Sequence, residues 1–232
     1  EKRNIDVFLY HEAVKISPSK KVVLVKHIES GEEKEYSYDR LLISTGARPF
    51  VPPIKGKELG GVFTLRHLEE GLAIKKYIAD KNPERGLIIG AGNIGMEMAE
   101  AFAERGIGVT VVEKAPSILG SMDDEITELV EEELRKNGVS LIKSKAVVEF
   151  DGDSSGVKEA VLEDGERIET DIAIIGAGIK PNSEIAKDAG IELGPTGAIR
   201  VNDRMETCLA DIYAAGDCAE AVSYTHLTLP TK

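Results

Sequence analysis

The chain has 232 residues, of which 42% are hydrophobic and 30% charged, and its formal net charge is -12. This balance is that of a globular protein with one large domain or two modest ones. The negative charge disfavours nucleic-acid and anionic-membrane partners, because both need a basic face. Its two cysteines, Cys208 and Cys218, show no paired spacing, and no apolar run approaches membrane-spanning length. We therefore expect a soluble protein of a reducing compartment, the cytoplasm.

The first segment of the chain, residues 1–54, alternates apolar and polar side chains. Residues 21–28 and 34–38 predict the two strands of a hairpin, and the apolar run 41–43 is typical of a buried parallel strand. Prolines block regular structure after this run and indicate a linker, at Pro49, Pro52 and Pro53.

Three stretches of the next segment, residues 55–180, predict helices. The first covers residues 64–80, and the second begins after Gly90 and ends at Gly106. The third covers residues 122–137 and is predicted to turn four apolar side chains inward, namely Ile126, Leu129, Val130 and Leu134.

Short apolar strands alternate with these helices, at residues 87–89 and 108–113 among others. Residues 157–163 and 167–170 predict an antiparallel hairpin. The alternation of strands and helices predicts the α/β class with a parallel sheet, and the hairpin is an antiparallel insertion.

One sequence pattern occurs twice, as YDRLLISTGARP at residues 38–49 and as TDIAIIGAGIKP at residues 170–181. Each copy follows a predicted hairpin, so the repeat predicts two similar domains. We expect residues 55–180 to form one of them, and residues 1–54 and 181–221 to be parts of the other.

The two ends of the chain break these patterns. Glu1 lies within a strand-like stretch. The second copy of the repeat has a glycine-rich loop upstream, at Gly90, and the first copy has none, so we expect a βαβ unit to precede Glu1. Residues 222–232 (VSYTHLTLPTK) continue no earlier pattern and are similar to translated adapter sequence. We therefore expect a non-native tail there and give His226 no functional weight.

The strongest candidate site is GAGNIG at residues 90–95, between a predicted strand and a predicted helix. A GxGxxG pattern alone is a weak signal, but this placement is what dinucleotide binding requires and disfavours a plain glycine turn. Gly90 permits the tight turn, Gly92 admits a pyrophosphate, and Gly95 allows close helix–strand packing. The helix start at Asn93 and Ile94 offers free N–H groups to phosphates, so the motif predicts a Rossmann-like NAD-binding domain.

Further candidates lie at the ends of predicted strands. Glu113 is placed to accept hydrogen bonds from the adenine ribose, the alternative being a solvated acid. A 2′-phosphate would meet its like charge, so we expect NADH to be preferred, with NADPH possible because Lys114 is adjacent. Gly178, in the second repeat copy, is a further cofactor-binding candidate. For Asp217, which follows Gly216, the residues alone favour an ordinary turn aspartate.

Together these features resemble the pyridine nucleotide–disulfide oxidoreductase family over residues 1–221. The resemblance rests on LLISTGARP at 41–49, LIIGAGNIGMEMAE at 87–100 and METCLADIYAAGDC at 205–218. The segments VFTLRHLEE at 62–70 and VNDRMET at 201–207 are similar to its coenzyme A disulfide reductase and NADH oxidase branch.

The resemblance implies an FAD-dependent NAD(P)H oxidoreductase, in which NADH reduces FAD and the flavin then reduces a cysteine disulfide or sulfenate. It also implies that Asp217, beside Gly216, holds the ribityl chain of FAD. Thr45 and Gly46 would line the flavin nucleotide, and Glu97 would help to orient the nicotinamide.

Two features depart from the family pattern. Asn93 stands where the family often has an aromatic lid. The redox cysteine is expected N-terminal to Glu1, so no catalytic residue is assigned within this chain. Cys208 and Cys218 are interpreted as structural or incidental thiols.

The favoured acceptor is a small disulfide such as coenzyme A disulfide. The alternatives are an NADH oxidase or peroxidase, a reductase of a small redox carrier protein, and a non-catalytic NADH-binding sensor. We expect the fragment alone to be inactive, the full-length protein to be a homodimer, and no metal, nucleic acid or membrane to be bound.

Overall fold

The computed structural model describes residues 5–120 and 122–221, so the predicted tail at 222–232 lies outside the described residues. The helices are α1 (Leu68–Lys81), α2 (Asn93–Ala103), α3 (Asp124–Lys136) and α4 (Glu184–Asp188). The strands in chain order are β1 (His11–Ser17), β2 (Val22–His27), β3 (Glu33–Ser37), β4 (Leu41–Ile43), β5 (Ala47–Pro49), β6 (Val62–Thr64), β7 (Arg85–Ile89), β8 (Gly108–Glu113), β9 (Ser140–Lys143), β10 (Val147–Asp153), β11 (Gly156–Leu162), β12 (Arg167–Glu169), β13 (Ile172–Ile175), β14 (Ile179–Pro181), β15 (Ile199–Val201), β16 (Ile212–Ala214) and β17 (Ala219–Ala221). In these described ranges, no helix has the length and apolar character needed to cross a membrane.

The chain divides into two compact units. The central unit is Pro49–Ile179, and the flanking unit combines the described residues of Glu1–Arg48 with those of Lys180–Lys232. The domain limits predicted at residues 54 and 180 stay a prediction.

A five-stranded parallel sheet, in the order β6-β13-β7-β8-β9, is the centre of the central unit. Its middle strands are short apolar runs, and Leu87, Ile88 and Ile174 are completely buried. A strand that is covered on both faces needs such a continuous apolar run, whereas a half-exposed strand would alternate. The predicted α/β class with a parallel sheet is confirmed.

The two faces of this sheet carry different layers. On one face, Ile88 and Val111 pack in a core with Phe102 of α2. On the other face, Leu87 and Ile89 pack with the three-stranded antiparallel sheet β10-β11-β12. The predicted antiparallel insertion is therefore the layer that covers one side of the parallel sheet.

Helix α1 begins at Leu68 rather than at residue 64, where the sequence predicted its start. The carboxylate of Glu70 accepts hydrogen bonds from the backbone N–H groups of Arg66 and His67. These bonds satisfy donors at the helix entrance in a capping box, which fixes the first turn there.

The inward positions predicted for α3 are partly wrong. Ile126 and Leu129 are 46% and 63% exposed, whereas Thr127 is buried. The hydroxyl of Thr127 donates to the carbonyl oxygen of Asp124 at 2.9 Å, so its burial leaves no unpaired donor. Val130 packs against the core as predicted. The inward face of α3 is therefore rotated toward Thr127 relative to the predicted face, and the hydrogen bond within the helix permits the burial of this hydroxyl.

The flanking unit contains the antiparallel sheet β1-β2-β3 and two parallel strand pairs, β4 with β16 and β15 with β17. Its core includes Ile43, Ile199, Ile212 and Cys218. Strand β4 follows β1-β2-β3 as β13 follows β10-β11-β12, so each copy of the repeated sequence comes after a three-stranded antiparallel sheet.

The different burial of two leucines gives a direct test of this packing. Replacing the completely buried Leu87 with alanine removes core contacts and leaves a cavity, so we expect the free energy of unfolding to fall by about 2–5 kcal/mol. The matched change Leu129→Ala on the exposed face of α3 should cost less than about 0.5 kcal/mol. Urea unfolding followed by circular dichroism compares the two. Equal losses would contradict the orientation of α3.

Candidate functional site

The glycine motif forms the turn between β7 and α2. Gly90 has a φ of +96°, and a Cβ atom there would lie 2.4 Å from the carbonyl oxygen of Gly176. A Cβ atom on Gly95 would lie 1.9 Å from the carbonyl oxygen of Gly90. Both positions therefore require glycine because of packing inside the protein.

Gly92 differs from Gly90 and Gly95, the other two glycines of the motif, in the space around it. Its φ is -83°, it is the N-cap residue of α2, and a Cβ atom there would meet nothing within 4 Å. The start of α2 has no acidic residue in its first turn. Its backbone N–H groups and positive dipole end therefore suit an anion that approaches Gly92.

A cleft of about 820 Å³ opens beside this turn. It is lined by residues that follow β7, β8, β9 and β13, which is the carboxyl edge of the parallel sheet. Open α/β sheets bind ligands at this edge. Four of the predicted cofactor-binding residues line the cleft, namely Gly90, Gly92, Glu113 and Gly178.

The carboxylate of Glu113 accepts hydrogen bonds from two segments that line the cleft. Its Oε2 atom accepts the N–H of Ala91 at 2.7 Å, and its Oε1 atom accepts the N–H of Ala115 at 2.7 Å. The N–H of Leu119 also donates to the carbonyl oxygen of Ala91, at 2.9 Å. Each carboxylate oxygen can accept more than one hydrogen bond, so Glu113 retains acceptor capacity for a ligand hydroxyl.

A second charged group lies at the same end of the cleft. The backbone N–H of Lys145 donates to the carbonyl oxygen of Glu113 at 3.3 Å. The Lys145 ammonium lies 2.7 Å from Oδ2 of Asp164 and 2.5 Å from Oε2 of Glu166. Hydrogen bonds to these two carboxylates raise the pKa of Lys145, and the ammonium lowers the pKa of Asp164.

The sequence did not single out most of the remaining lining residues. They lie in loops without a motif, and include Phe50, Ile54, Ser117, Leu119, Lys145 and Glu163. Lys145 comes just after the end of β9, and Glu113 is the last residue of β8. Because ligands bind at the carboxyl ends of parallel strands, the argument that singled out Glu113 could also have found Lys145.

The other candidates on α2 are not lining residues of the cleft. Asn93 and Ile94 form the first turn of the helix, and Gly95 is buried behind the turn. Glu97 is exposed further along the helix. Its role toward a nicotinamide stays a prediction.

The candidates in the flanking unit share another strand edge. Because β4 and β16 pair in parallel, residues 44–46 and 215–217 leave the same edge of that sheet. The hydroxyl of Ser44 donates to the carbonyl oxygen of Ala215 at 2.9 Å, which joins the two segments. The structure therefore brings Thr45, Gly46, Gly216 and Asp217 to one edge.

Local hydrogen bonds shape this second edge. The hydroxyl of Thr45 donates to the carbonyl oxygen of Asn182 at 2.5 Å. The backbone N–H of Asn182 donates to the carbonyl oxygen of Gly46 at 3.0 Å. Gly216 has a φ of +82° and no neighbour within 4 Å of a Cβ position. Asp217, next to it, is exposed. This edge therefore offers a carboxylate beside open glycine backbone.

The two cysteines have different surroundings. Cys218 is buried, with its sulfur 3.5 Å from the carbonyl oxygen of Ile43, whereas Cys208 is exposed and accepts the N–H of Glu192. Within residues 5–120 and 122–221, no group of His, Cys, Asp and Glu side chains is arranged to hold a metal ion.

Comparison with known proteins identifies the family. Residues 1–229 match the family model described as pyridine nucleotide-disulphide oxidoreductase. The chain therefore belongs to the pyridine nucleotide-disulphide oxidoreductase family, and the predicted membership is confirmed.

Relatives of both predicted kinds are found. The chain is 40% identical over 224 residues to an NADH oxidase of Methanocaldococcus jannaschii, covering 96% of the chain and 49% of that protein. It is 30% identical over 232 residues to a coenzyme A disulfide reductase of Staphylococcus haemolyticus, covering 100% of the chain and 51% of that protein. It is also similar to the structure of an NAD-dependent persulfide reductase from A. fulgidus, with a TM-score of 0.87, 40% identity, and coverage of 94% and 40% of the two chains. The chain spans about half the length of the curated relatives it matches.

The free energy of unfolding of two variants can distinguish a glycine that packing requires, Gly95, from a glycine that faces open space, Gly92. Gly95→Ala forces a methyl group onto the Gly90 carbonyl, so we expect it to lower the free energy of unfolding by roughly 2 kcal/mol or more. Gly92→Ala meets open space and should cost less than about 1 kcal/mol, the size of a cap effect. Urea denaturation measures both. A large loss in Gly92→Ala would show that this glycine is structural.

Proposed function

We propose that this chain binds NADH in the cleft of the central unit and contributes to an FAD site in the flanking unit. It would belong to a flavoprotein oxidoreductase that passes a hydride from NADH to FAD and on to a small disulfide such as coenzyme A disulfide. The observation that carries the proposal is the open Gly92 backbone at the start of α2, in a cleft that also contains Glu113.

The cleft supports a dinucleotide by the chemistry of its lining. The free N–H groups at the start of α2 suit a pyrophosphate, and Gly92 leaves room for it to approach the backbone. Glu113, at the end of β8, is held in place by Ala91 and Ala115 and can accept a ribose hydroxyl. The remaining lining is largely apolar, which suits the adenine and nicotinamide rings.

The proposed FAD site rests on the second strand edge. Thr45, Gly46, Gly216 and Asp217 lie together there, and the Asp217 carboxylate is suited to accept hydroxyl groups such as those of a ribityl chain. We accordingly propose residues 55–180 as the NADH domain, and 1–54 with 181–221 as parts of the FAD domain.

The proposed disulfide acceptor is supported by the relative from Staphylococcus haemolyticus. A second candidate, in which oxygen accepts the electrons, is favoured by the NADH oxidase name of the Methanocaldococcus jannaschii relative. We also propose a cytoplasmic location, which is supported by two cysteines without paired spacing, and a homodimer for the full-length protein, which is supported by the family resemblance.

Direct binding of NADH tests the nucleotide site. The chain contains no Trp, so the emission of NADH itself can be followed as the full chain is added. We expect binding of NADH with weaker binding of NADPH, and at least about ten-fold weaker NADH binding by Gly92→Ala because its methyl group takes the space of the pyrophosphate. Unchanged NADH affinity in a folded Gly92→Ala variant would contradict the site.

The acceptor is tested in a longer protein that carries this chain and binds FAD. Without oxygen, NADH should bleach the flavin absorbance, and coenzyme A disulfide should restore it. Recovery with oxygen but not with the disulfide would support the oxidase candidate. Bleaching that no acceptor reverses would contradict turnover and favour an NADH-binding sensor.

A further inference from the structure

We propose that Asp164 and Glu166 help to exclude 2′-phosphorylated nucleotides from the cleft by neutralising Lys145. This inference rests on the proposed function, because it assigns a selectivity to the proposed NADH site. It concerns residues of the antiparallel insertion, outside the glycine motif.

The position of Lys145 places it at the ribose end of the cleft. Lys145 is a lining residue, and its backbone N–H is bonded to the carbonyl oxygen of Glu113. The preceding N–H, of Ser144, donates to the carbonyl oxygen of Ala115 at 3.1 Å. The loop after β9 is therefore attached to the segment that is proposed to hold the adenine ribose.

A lysine in this position would ordinarily favour a phosphate. Its ammonium is a compact positive charge with three donors, and it binds phosphate as a point charge. A 2′-phosphate on the adenine ribose would enter the end of the cleft where Lys145 lies. The attraction of an unpaired Lys145 for this phosphate would therefore counteract its repulsion by Glu113 and favour NADPH binding.

The structure instead pairs this ammonium with two carboxylates. Asp164 and Glu166 both lie within hydrogen-bond distance of Nζ, and the Lys145 side chain is only 33% exposed. Two negative charges against one positive charge leave an excess of negative charge within this cluster. Glu163 and Lys114, which also line the cleft, add one charge of each sign and leave that excess unchanged.

The hairpin turn holds this arrangement in place. Asp164 and Glu166 belong to the turn between β11 and β12, where the N–H of Glu166 donates to Oδ1 of Asp164 at 3.1 Å. The N–H of Leu162 donates to the carbonyl oxygen of Glu166 at 2.8 Å, which closes the turn. The antiparallel insertion therefore contributes charge to the cleft as well as covering the sheet.

The test removes both carboxylate charges while keeping the side-chain shapes. In the full chain carrying Asp164→Asn and Glu166→Gln, NADH and NADPH affinities are measured by nucleotide fluorescence. We expect the ratio of NADPH affinity to NADH affinity to rise about five-fold, which is the size of one partly exposed charge pair. Adding Lys145→Met to this double variant should abolish the rise.

A matched control is present in the same antiparallel sheet. Asp151 and Glu159 pair with Arg167 at 2.7 and 2.6 Å, and none of the three residues lines the cleft. Asp151→Asn with Glu159→Gln changes the net charge equally, so the affinity ratio should stay at the wild-type value. An equal rise in this control would overturn the inference, because it would show a general charge effect.

Two other results would also overturn it: an unchanged ratio in the double variant, or a rise that persists with Lys145→Met. Should the double variant fail to fold, Glu166→Gln alone leaves the Asp164 pairing and should give a smaller rise. No NADH binding by the wild-type chain would defeat the proposed function and this inference together. NADH binding with an unmoved ratio would defeat the inference alone.

Discussion

The close approach of the start of α2 to the turn after β7 is the constraint on which the central unit depends. Gly95 lies so near the carbonyl oxygen of Gly90 that no side chain fits between them. Because the helix sits this close to the strand, its first N–H groups open onto the carboxyl edge of the sheet. The position of Gly92 at the cleft and the bond of Glu113 to Ala91 depend on that approach.

Electrostatics then distinguishes neighbouring parts of the cleft lining. The helix start supplies a positive end without an acidic residue in its first turn, whereas the ends of β8 and β9 carry Glu113 and the Lys145 cluster. A ligand with a pyrophosphate in its middle and hydroxyl groups at one end matches this distribution. The antiparallel insertion contributes to both the packing and the charge of this region. Its apolar face packs on the parallel sheet, and its last turn carries Asp164 and Glu166.

Much of the fold could be predicted because its signals are local. The strands at 87–89 and 108–113, the glycine turn and the repeated pattern all depend on residues that are adjacent in sequence. The errors arose where local side-chain hydrogen bonds, which the spacing of apolar residues does not record, decide the structure. Ile126 and Leu129 of α3 have the spacing of an inward face, but the hydrogen-bonded Thr127 is the residue that is buried. The start of α1 is likewise decided by the carboxylate of Glu70, which a count of apolar positions does not consider.

The α/β class and the glycine turn could be predicted from the residues because glycine spacing and apolar runs act over a few positions, and the family was predicted from the resemblance of three motifs. Which of the candidate residues meet depends on the packing of the sheets. The tertiary structure places Glu113 with Gly90, Gly92 and Gly178, leaves Glu97 exposed, and brings Thr45 to the same sheet edge as Gly216 through a parallel strand pair. It also couples Lys145 to Asp164 and Glu166, because the ends of parallel strands and the turn of a hairpin become neighbours only when the sheets pack.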